Sequence, residues 1–309
     1  MTFAIAENAA TDLRAGGTDL SERRRSGIAR GLLQDLTSVT VVGIAPGINW
    51  ASDGSAQIGA LTTIAAMADD AALARHYPGL VATAAGLATP QIRHLATLGG
   101  NLAQHTRCAY YRNPSISCLK KGGTDCPARG GHHLAGVAFD TSACVAPHPS
   151  SMACALLAYD ALIATNQRAA LCIDDLLGDG RDGRSDHALQ AGEIITSVAL
   201  RVPMASERAV YRRAISRTHA EWPLVEVVAR AVIADGRFTG LRLAAGGLAP
   251  RPIRLLLAEQ TAIGQPANAA TILGAASAAI DGARALPQTG YKLKLLSGLV
   301  QDLLEQVAK

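Results

Sequence analysis

The alternation of apolar and polar positions divides the chain into three stretches. Near the start, the turn Ala15-Gly16-Gly17-Thr18-Asp19-Leu20 leads into a mostly polar segment read as a helix from Ser21 to about Leu33. The β-branched run Ser38-Val39-Thr40-Val41-Val42 then reads as a buried strand. The stretch 56–88 begins as a strand through Ile58. It continues as two Ala-rich helices split at Pro78-Gly79, with Thr62 or Thr63 as N-cap. A second Gly-Gly turn closes 88–104. A long irregular loop follows, then a helix over 150–160, a strand near 169–173 and a polar loop from Asp174 to Gln190. In the last stretch, Glu193–Pro203 and Glu207–Ser216 read as strands, and Leu224–Pro250 as a helix or strand, a turn at Asp235-Gly236 and another strand. Residues 267–283 and 291–309 read as closing helices.

Composition narrows the function classes. The chain has 309 residues, 49% hydrophobic and 17% charged, enough for two domains and a sizeable core. A net charge of +4 with 4% aromatic residues argues against nucleic-acid binding. Glu7 and Asp12 interrupt any apolar core near the start, and no apolar run reaches about 18 residues, so a signal peptide and a membrane span are not expected. Export, where it occurs, is expected to depend on a partner's signal.

The two diglycine turns, Gly16-Gly17 and Gly99-Gly100-Asn101, let backbone N–H groups approach an anion because no Cβ intervenes. Each also fits a plain tight connection. No GxGxxG follows a strand and no GxxxxGK[ST] occurs, which removes a Rossmann site and a P-loop. Four of the six cysteines, Cys108, Cys118, Cys126 and Cys144, crowd into the irregular loop at long, unequal steps. None of the steps is the C-x2-C of a zinc ribbon or ferredoxin. Long steps suit a chain wrapped around a large object, so an iron–sulfur cluster leads, with zinc and free or disulfide-bonded thiols as the other readings. Arg107, Arg112, Lys120, Lys121 and Arg129 stand near enough to offset a cluster's charge. His105, His132, His133 and His148 read as solvated or supporting groups, and Cys154 and Cys172 as small core residues.

The segments AGGTDL, TLGGNLAQ, TRCAYYRNPSISCLKKGGTDCPARGG and SACVAPHPSSMACALLAYDA together resemble the FAD-binding medium subunit of the molybdenum hydroxylase (xanthine dehydrogenase) family. Within it the chain is most similar to the branch with an extra [4Fe–4S] cluster, typified by periplasmic aldehyde oxidoreductases. The resemblance implies an α+β fold: a vanillyl-alcohol-oxidase-like FAD domain of two α/β subdomains (1–45 and 46–185, with an inserted iron–sulfur loop at 104–148), then a C-terminal α+β domain (190–309) like that of CO dehydrogenase flavoproteins. It implies that FAD is held by backbone groups at Ala15, Gly16, Gly17, Thr18, Asp19 and Leu20 and at Gly99, Gly100 and Asn101, with Thr97, Gln104 and Thr106 as weaker contacts. Cys108, Cys118, Cys126 and Cys144 would bind the cluster.

No substrate-hydroxylating residue is expected on this chain. The implied partners are a large molybdenum-cofactor subunit and a small [2Fe–2S] subunit, and the implied role is electron transfer through FAD to an external acceptor, in the cytoplasm or periplasm. Aldehyde is the implied substrate of the complex; a purine, an N-heterocycle or an acyl-CoA remains open, as does a flavin-less, metal-stabilised scaffold. Three departures stand out: Ser151 where relatives carry Asp, a basic run at Arg23-Arg24-Arg25, and Trp222 where a flavin-facing Tyr is common. The basic run reads as a solvated face, an acidic-partner contact or a phosphate contact. Trp222 reads either as a stacking group or as a core aromatic.

Overall fold

The computed structural model describes residues 11–38, 43–217 and 220–309. It opens with β1 (Thr11–Arg14), α1 (Leu20–Arg25) and β2 (Leu32–Asp35), in which β1 and β2 form a two-stranded parallel sheet with Leu13 opposite Gln34. The helix expected to run to Leu33 stops at Arg25. Gly27 takes a positive φ of 69°, and Leu32 and Leu33 are used as strand residues beside β1. Arg24 fastens this turn by donating to Asp12 and to the Gly31 carbonyl. Of the strand expected at Ser38–Val42, Ser38 lies in a turn and 39–42 fall outside the described residues.

The second unit contains β3 (Ile48–Trp50) and β4 (Ala56–Gly59). Five short helices follow: α2 (Ile64–Asp69), α3 (Ala71–His76), α4 (Pro78–Gly86), α5 (Pro90–Leu95) and α6 (Leu98–Leu102). The side chains of Thr63, Asp70, Thr89 and Thr97 cap α2, α3, α5 and α6, each accepting from the N–H three residues on. The second diglycine is therefore the first turn of a capped helix rather than a free turn. The cysteine stretch holds only α7 (Ala109–Arg112) and a 3-10 turn at Leu119–Lys121. Next come α8 (Ser151–Ala158), β5 (Leu162–Thr165), α9 (Ile173–Leu177) and β6 (Ile195–Leu200), and the sheet order is β3-β4-β6-β5, all antiparallel. The strand expected near 169–173 lies earlier, at β5. Only Leu171 touches it, through one bridge to Ile163, because Cys172 already caps α9.

The third unit is a four-stranded antiparallel meander, β10-β9-β8-β7, built from β7 (Arg208–Ala214), β8 (Val225–Ala234), β9 (Arg237–Gly246) and β10 (Ile253–Arg254). The ambiguous segment at 225–234 is thus a strand, as its valines favour. The helices α10 (Leu256–Ala262), α11 (Ala269–Ala278) and α12 (Tyr291–Ala308) complete the unit; α10 is not apparent in the sequence pattern.

The third sheet is buried on both faces, which joins the two large cores. Val225, Val227, Ala229 and Ala231 of β8 pack with Leu296, Val300, Leu303 and Leu304 of α12. Val228, pointing the opposite way by the period of two, belongs to the core of α2, α4 and α8. Arg230 spans the seam. It pairs with Glu207 at 2.6 Å, donates to the Ala158 carbonyl at 2.7 Å and lies over the Tyr159 ring at 4.4 Å. Leu303 is fully buried in the second core. Leu303→Ala is expected to cost about 2–5 kcal/mol of unfolding free energy by chemical denaturation; a loss under about 1 kcal/mol would contradict this packing.

Candidate functional site

The first glycine turn gathers donors that the fold does not consume. Gly17 adopts a positive φ of 69°. Gly16 packs so closely on α5 that a Cβ there would lie 1.7 Å from the Leu95 carbonyl oxygen. Among the described residues, none accepts a hydrogen bond from the amide N–H of Gly16, Gly17, Thr18, Asp19 or Leu20. These amides line a cleft of about 440 Å³ that also includes Thr97, Gly100 and Gln104. A row of unspent backbone donors at a helix start is suited to an oxyanion.

The second glycine segment works differently. The N–H of Gly99 donates to Ala60, that of Gly100 to the Thr97 hydroxyl and that of Asn101 to the Thr97 carbonyl. Helix capping and packing against Ala60 thus use these amides, while Gly99 and Gly100 themselves line the groove described next. Gly99 is required by a close approach, because a Cβ would sit 2.9 Å from that of Ala60. Thr97 and Gly100 still form a wall of the cleft, and both continue into a groove of about 1040 Å³ with Leu13, Ala15, Arg23, His187, Gln190 and Gly192. Asn101 accepts from the Ser150 hydroxyl and is buried, whereas Gln104 holds the Asn101 carbonyl and Arg107. Thr106 faces the cysteine side rather than the groove. The groove wall at 187–195 has no signal in the sequence beyond its glycine and polar residues.

Cys108, Cys118, Cys126 and Cys144, all free thiols, line one space of about 260 Å³ together with Tyr110, Tyr111, Leu119 and Ala146. Backbone N–H groups face these sulfurs: Tyr110 and Tyr111 toward Cys108, Ala128, Arg129 and Val145 toward Cys126, and Ala146 toward Cys144. The Cys126 and Cys144 thiols interact, and that interaction draws the Cys126 thiol down and pushes Cys144 up. Burial raises the Cys108 thiol against its facing amides. Among the described residues, no three His, Cys, Asp or Glu side chains gather closely enough around one point to hold a single metal ion. Four cysteine thiols with amides directed at them are chemically able to hold a thiolate-bound centre.

The loop's cations are already committed. Arg112 pairs with Asp19 at 2.6 Å, Arg107 with Asp19 and Glu22 at 3.3 Å, Lys120 with Asp186 at 2.9 Å and Arg129 with Asp140 at 2.7 Å. Lys121 donates to the carbonyls of Tyr110 and Asn113. Lys120 and Arg129 also act electrostatically on the thiols. Burial opposes ionisation of Asp19, yet Arg107, Arg112 and Arg23 hold its carboxyl below the usual range.

Of the flanking histidines, only His132 is exposed, and none lines the cysteine space. His148 is buried, which pushes it down to about 4, and its Nε2 lacks a hydrogen-bond partner. Cys154 is a core residue as expected. Cys172 is exposed instead, where its sulfur caps α9 by accepting from the Asp175 N–H.

The basic run divides. Arg25 is exposed, Arg24 holds Asp12, and Arg23 pairs with Asp19 while bordering both the cleft and the groove. Trp222 is 42% exposed, so it is not a core aromatic; the Arg107 guanidinium lies over its ring at 4.6 Å. It borders a third cavity, of about 1080 Å³, which shares Thr106, Cys108, Tyr110 and Ala146 with the cysteine space. Ser151 is buried at the start of α8, with its hydroxyl bonded to the buried Glu226.

A family described as the FAD-binding domain in molybdopterin dehydrogenase matches residues 2–204, and the CO dehydrogenase flavoprotein C-terminal domain matches 210–307. The aldehyde oxidoreductase FAD-binding subunit PaoB of Escherichia coli K12 is 33% identical over 216 residues, which cover 67% of this chain and 65% of PaoB, just under two thirds of that relative. The xanthine dehydrogenase FAD-binding subunit of Escherichia coli O157:H7 is 27% identical over 278 residues, 87% of this chain and 77% of that one.

Two solved structures share the fold at 18% identity and a TM-score of 0.74: quinoline 2-oxidoreductase from Pseudomonas putida 86 and a carbon monoxide dehydrogenase from Hydrogenophaga pseudoflava. Each match covers 97% of this chain and 90% of the other. The expected α+β architecture is the one these proteins share. Matched over well more than half its length, the chain belongs to the FAD-binding family of the molybdopterin dehydrogenases and carries the CO dehydrogenase flavoprotein C-terminal domain.

Proposed function

We propose that this chain is the electron-transfer flavoprotein subunit of a molybdenum hydroxylase, with FAD along the glycine-lined cleft and groove and a [4Fe–4S] cluster on Cys108, Cys118, Cys126 and Cys144. The observation that carries the reading is the convergence of four cysteines, spread over 37 positions from 108 to 144, on one space, in a chain that also has a cleft bordered by unspent backbone amides. In this reading FAD and the cluster supply electron storage and transfer, and the protein supplies position and potential.

The chain's own residues divide the work. The N–H groups of Gly16 to Leu20 bind the diphosphate, with Arg14 and Arg23 as the cations that line the same cleft. Thr97 and Gly100 shape the wall that the flavin chain follows. Amides of Tyr110, Tyr111, Ala128, Arg129, Val145 and Ala146 donate toward the thiolates, which favours the reduced, more negative state of what they hold. Leu119 and Ala146 keep water from the sulfurs.

A large molybdenum-cofactor subunit and a small [2Fe–2S] subunit are the partners this role requires, with electrons passing from the small subunit to this chain and on to an external acceptor. Aldehyde oxidation is the favoured activity of the complex because PaoB, at 33% identity, is the FAD-binding subunit of an aldehyde oxidoreductase. Substrate-binding residues are assigned to the large subunit.

Cys118→Ala is expected to lower iron by about four atoms per chain while FAD remains; unchanged iron, or zinc in its place, refutes the cluster. Gly16→Ala is expected to remove most of the FAD with iron retained, because its Cβ forces the turn off the Leu95 carbonyl. Full flavin content in that variant would refute the assigned cleft.

A further inference from the structure

Asp19 sits in the glycine turn, and its carboxylate reaches the cysteine loop. One oxygen accepts from Arg112 at 2.6 Å and faces Arg107 at 3.3 Å; the other accepts from Arg23 at 3.0 Å and from the His105 N–H at 3.3 Å. Arg112 is also the clasp of the short ring of chain that carries Cys108. Its guanidinium donates to the carbonyls of Thr106 and His105, both at 2.9 Å, and so closes residues 105–112 on themselves. The Asp19, Arg107, Arg112 and Arg23 side chains are each 11–19% exposed, so these contacts are shielded from salt and water. The Cys108 ring and the Gly16–Leu20 amides are thereby bolted together by one carboxylate.

We propose that Asp19 is a positioning residue that couples the two sites: ordering of the Cys108 ring around a bound centre sets the glycine turn for the FAD diphosphate, and the reverse. Such coupling is reciprocal, so each occupant tightens the other by the same factor. The inference rests on the function proposed above and adds the linkage between its two cofactors. Among the described residues, Asp19 holds the cysteine loop through this ring.

The test is FAD affinity, read by flavin fluorescence on the full chain in its complex, with iron in place and after iron is chelated. Chelation is expected to weaken FAD binding about tenfold in the unaltered protein, within the usual range for linked sites. In Asp19→Asn, and independently in Arg112→Lys, which keeps the charge but loses the forked geometry, the two affinities are expected to coincide. A role limited to stability would shift both affinities together and leave their ratio intact, which overturns the proposal. Equal affinities in the unaltered protein overturn it as well, with the proposed function left standing. A protein that binds no iron or no FAD overturns the proposed function and this linkage with it.

Discussion

A stretch of more than forty residues that joins no sheet must satisfy its own backbone, and here guanidinium and ammonium groups do much of that work. Between Gln104 and His148 only one short helix and one 3-10 turn form. Arg112 holds the carbonyls of His105 and Thr106, Lys121 those of Tyr110 and Asn113, and Arg129 those of Ala143 and Ser142. Arg184 reaches in from outside to the Gly123 carbonyl. A forked, permanently charged donor suits this task, since it ties two or three oxygens at once and remains charged when half-buried. The cysteines can then be placed by the loop rather than by a ladder, and their sulfurs meet backbone amides of the loop itself.

That constraint explains which parts were legible in the sequence. The helix cap at Thr63, the helix starting at Ser151 and the hairpin at Asp235-Gly236 rest on local chemistry, and local chemistry reads directly from residue type. The four clustered cysteines, conspicuous in the sequence, line one space. What was not legible depends on distant partners. The second diglycine looked like an anion turn, but its amides are claimed by Ala60 and Thr97, a claim visible only once β4 lies beside α6. The short first helix ends early because Leu32 and Leu33 find a parallel partner in β1, and apolar leucines fit a helix equally well in isolation. Cys172 resembled a core residue by its neighbours, yet capping turned it outward.

The departures from the family pattern acquire local reasons. Ser151 is buried against Glu226, whose carboxyl burial pushes up, so a second carboxylate at that position would face a buried acid. Trp222 and Arg107 stack across the boundary between the third unit and the cysteine loop, and Lys292 on α12 holds the carbonyls of Ala135 and Gly247 across the same boundary. Lys292 is almost fully buried and its ammonium is lowered to about 8 by burial. A lysine retained in such a place, bonded to carbonyls from two segments, acts as a latch between the terminal helix and the loop.

The sign of the charges fixes how the loop can sit. Arg107, Arg112 and Lys120 of the cysteine stretch find their anions in the segments on either side, Asp19 and Glu22 before it and Asp186 after it, while Arg129 pairs with Asp140 within it. Asp186 is buried, and although burial alone would raise its carboxyl, His105 and Lys120 hold it far below the usual range. Leaving either carboxylate buried without its partner would cost several kcal/mol, on the order of 3–5 for a broken buried pair. A loop rotated or slipped by a few residues would strand Asp19 or Asp186 in that way. The two carboxylates therefore select one placement of the loop between the glycine turn and the groove wall, and in that placement the four cysteines line one space.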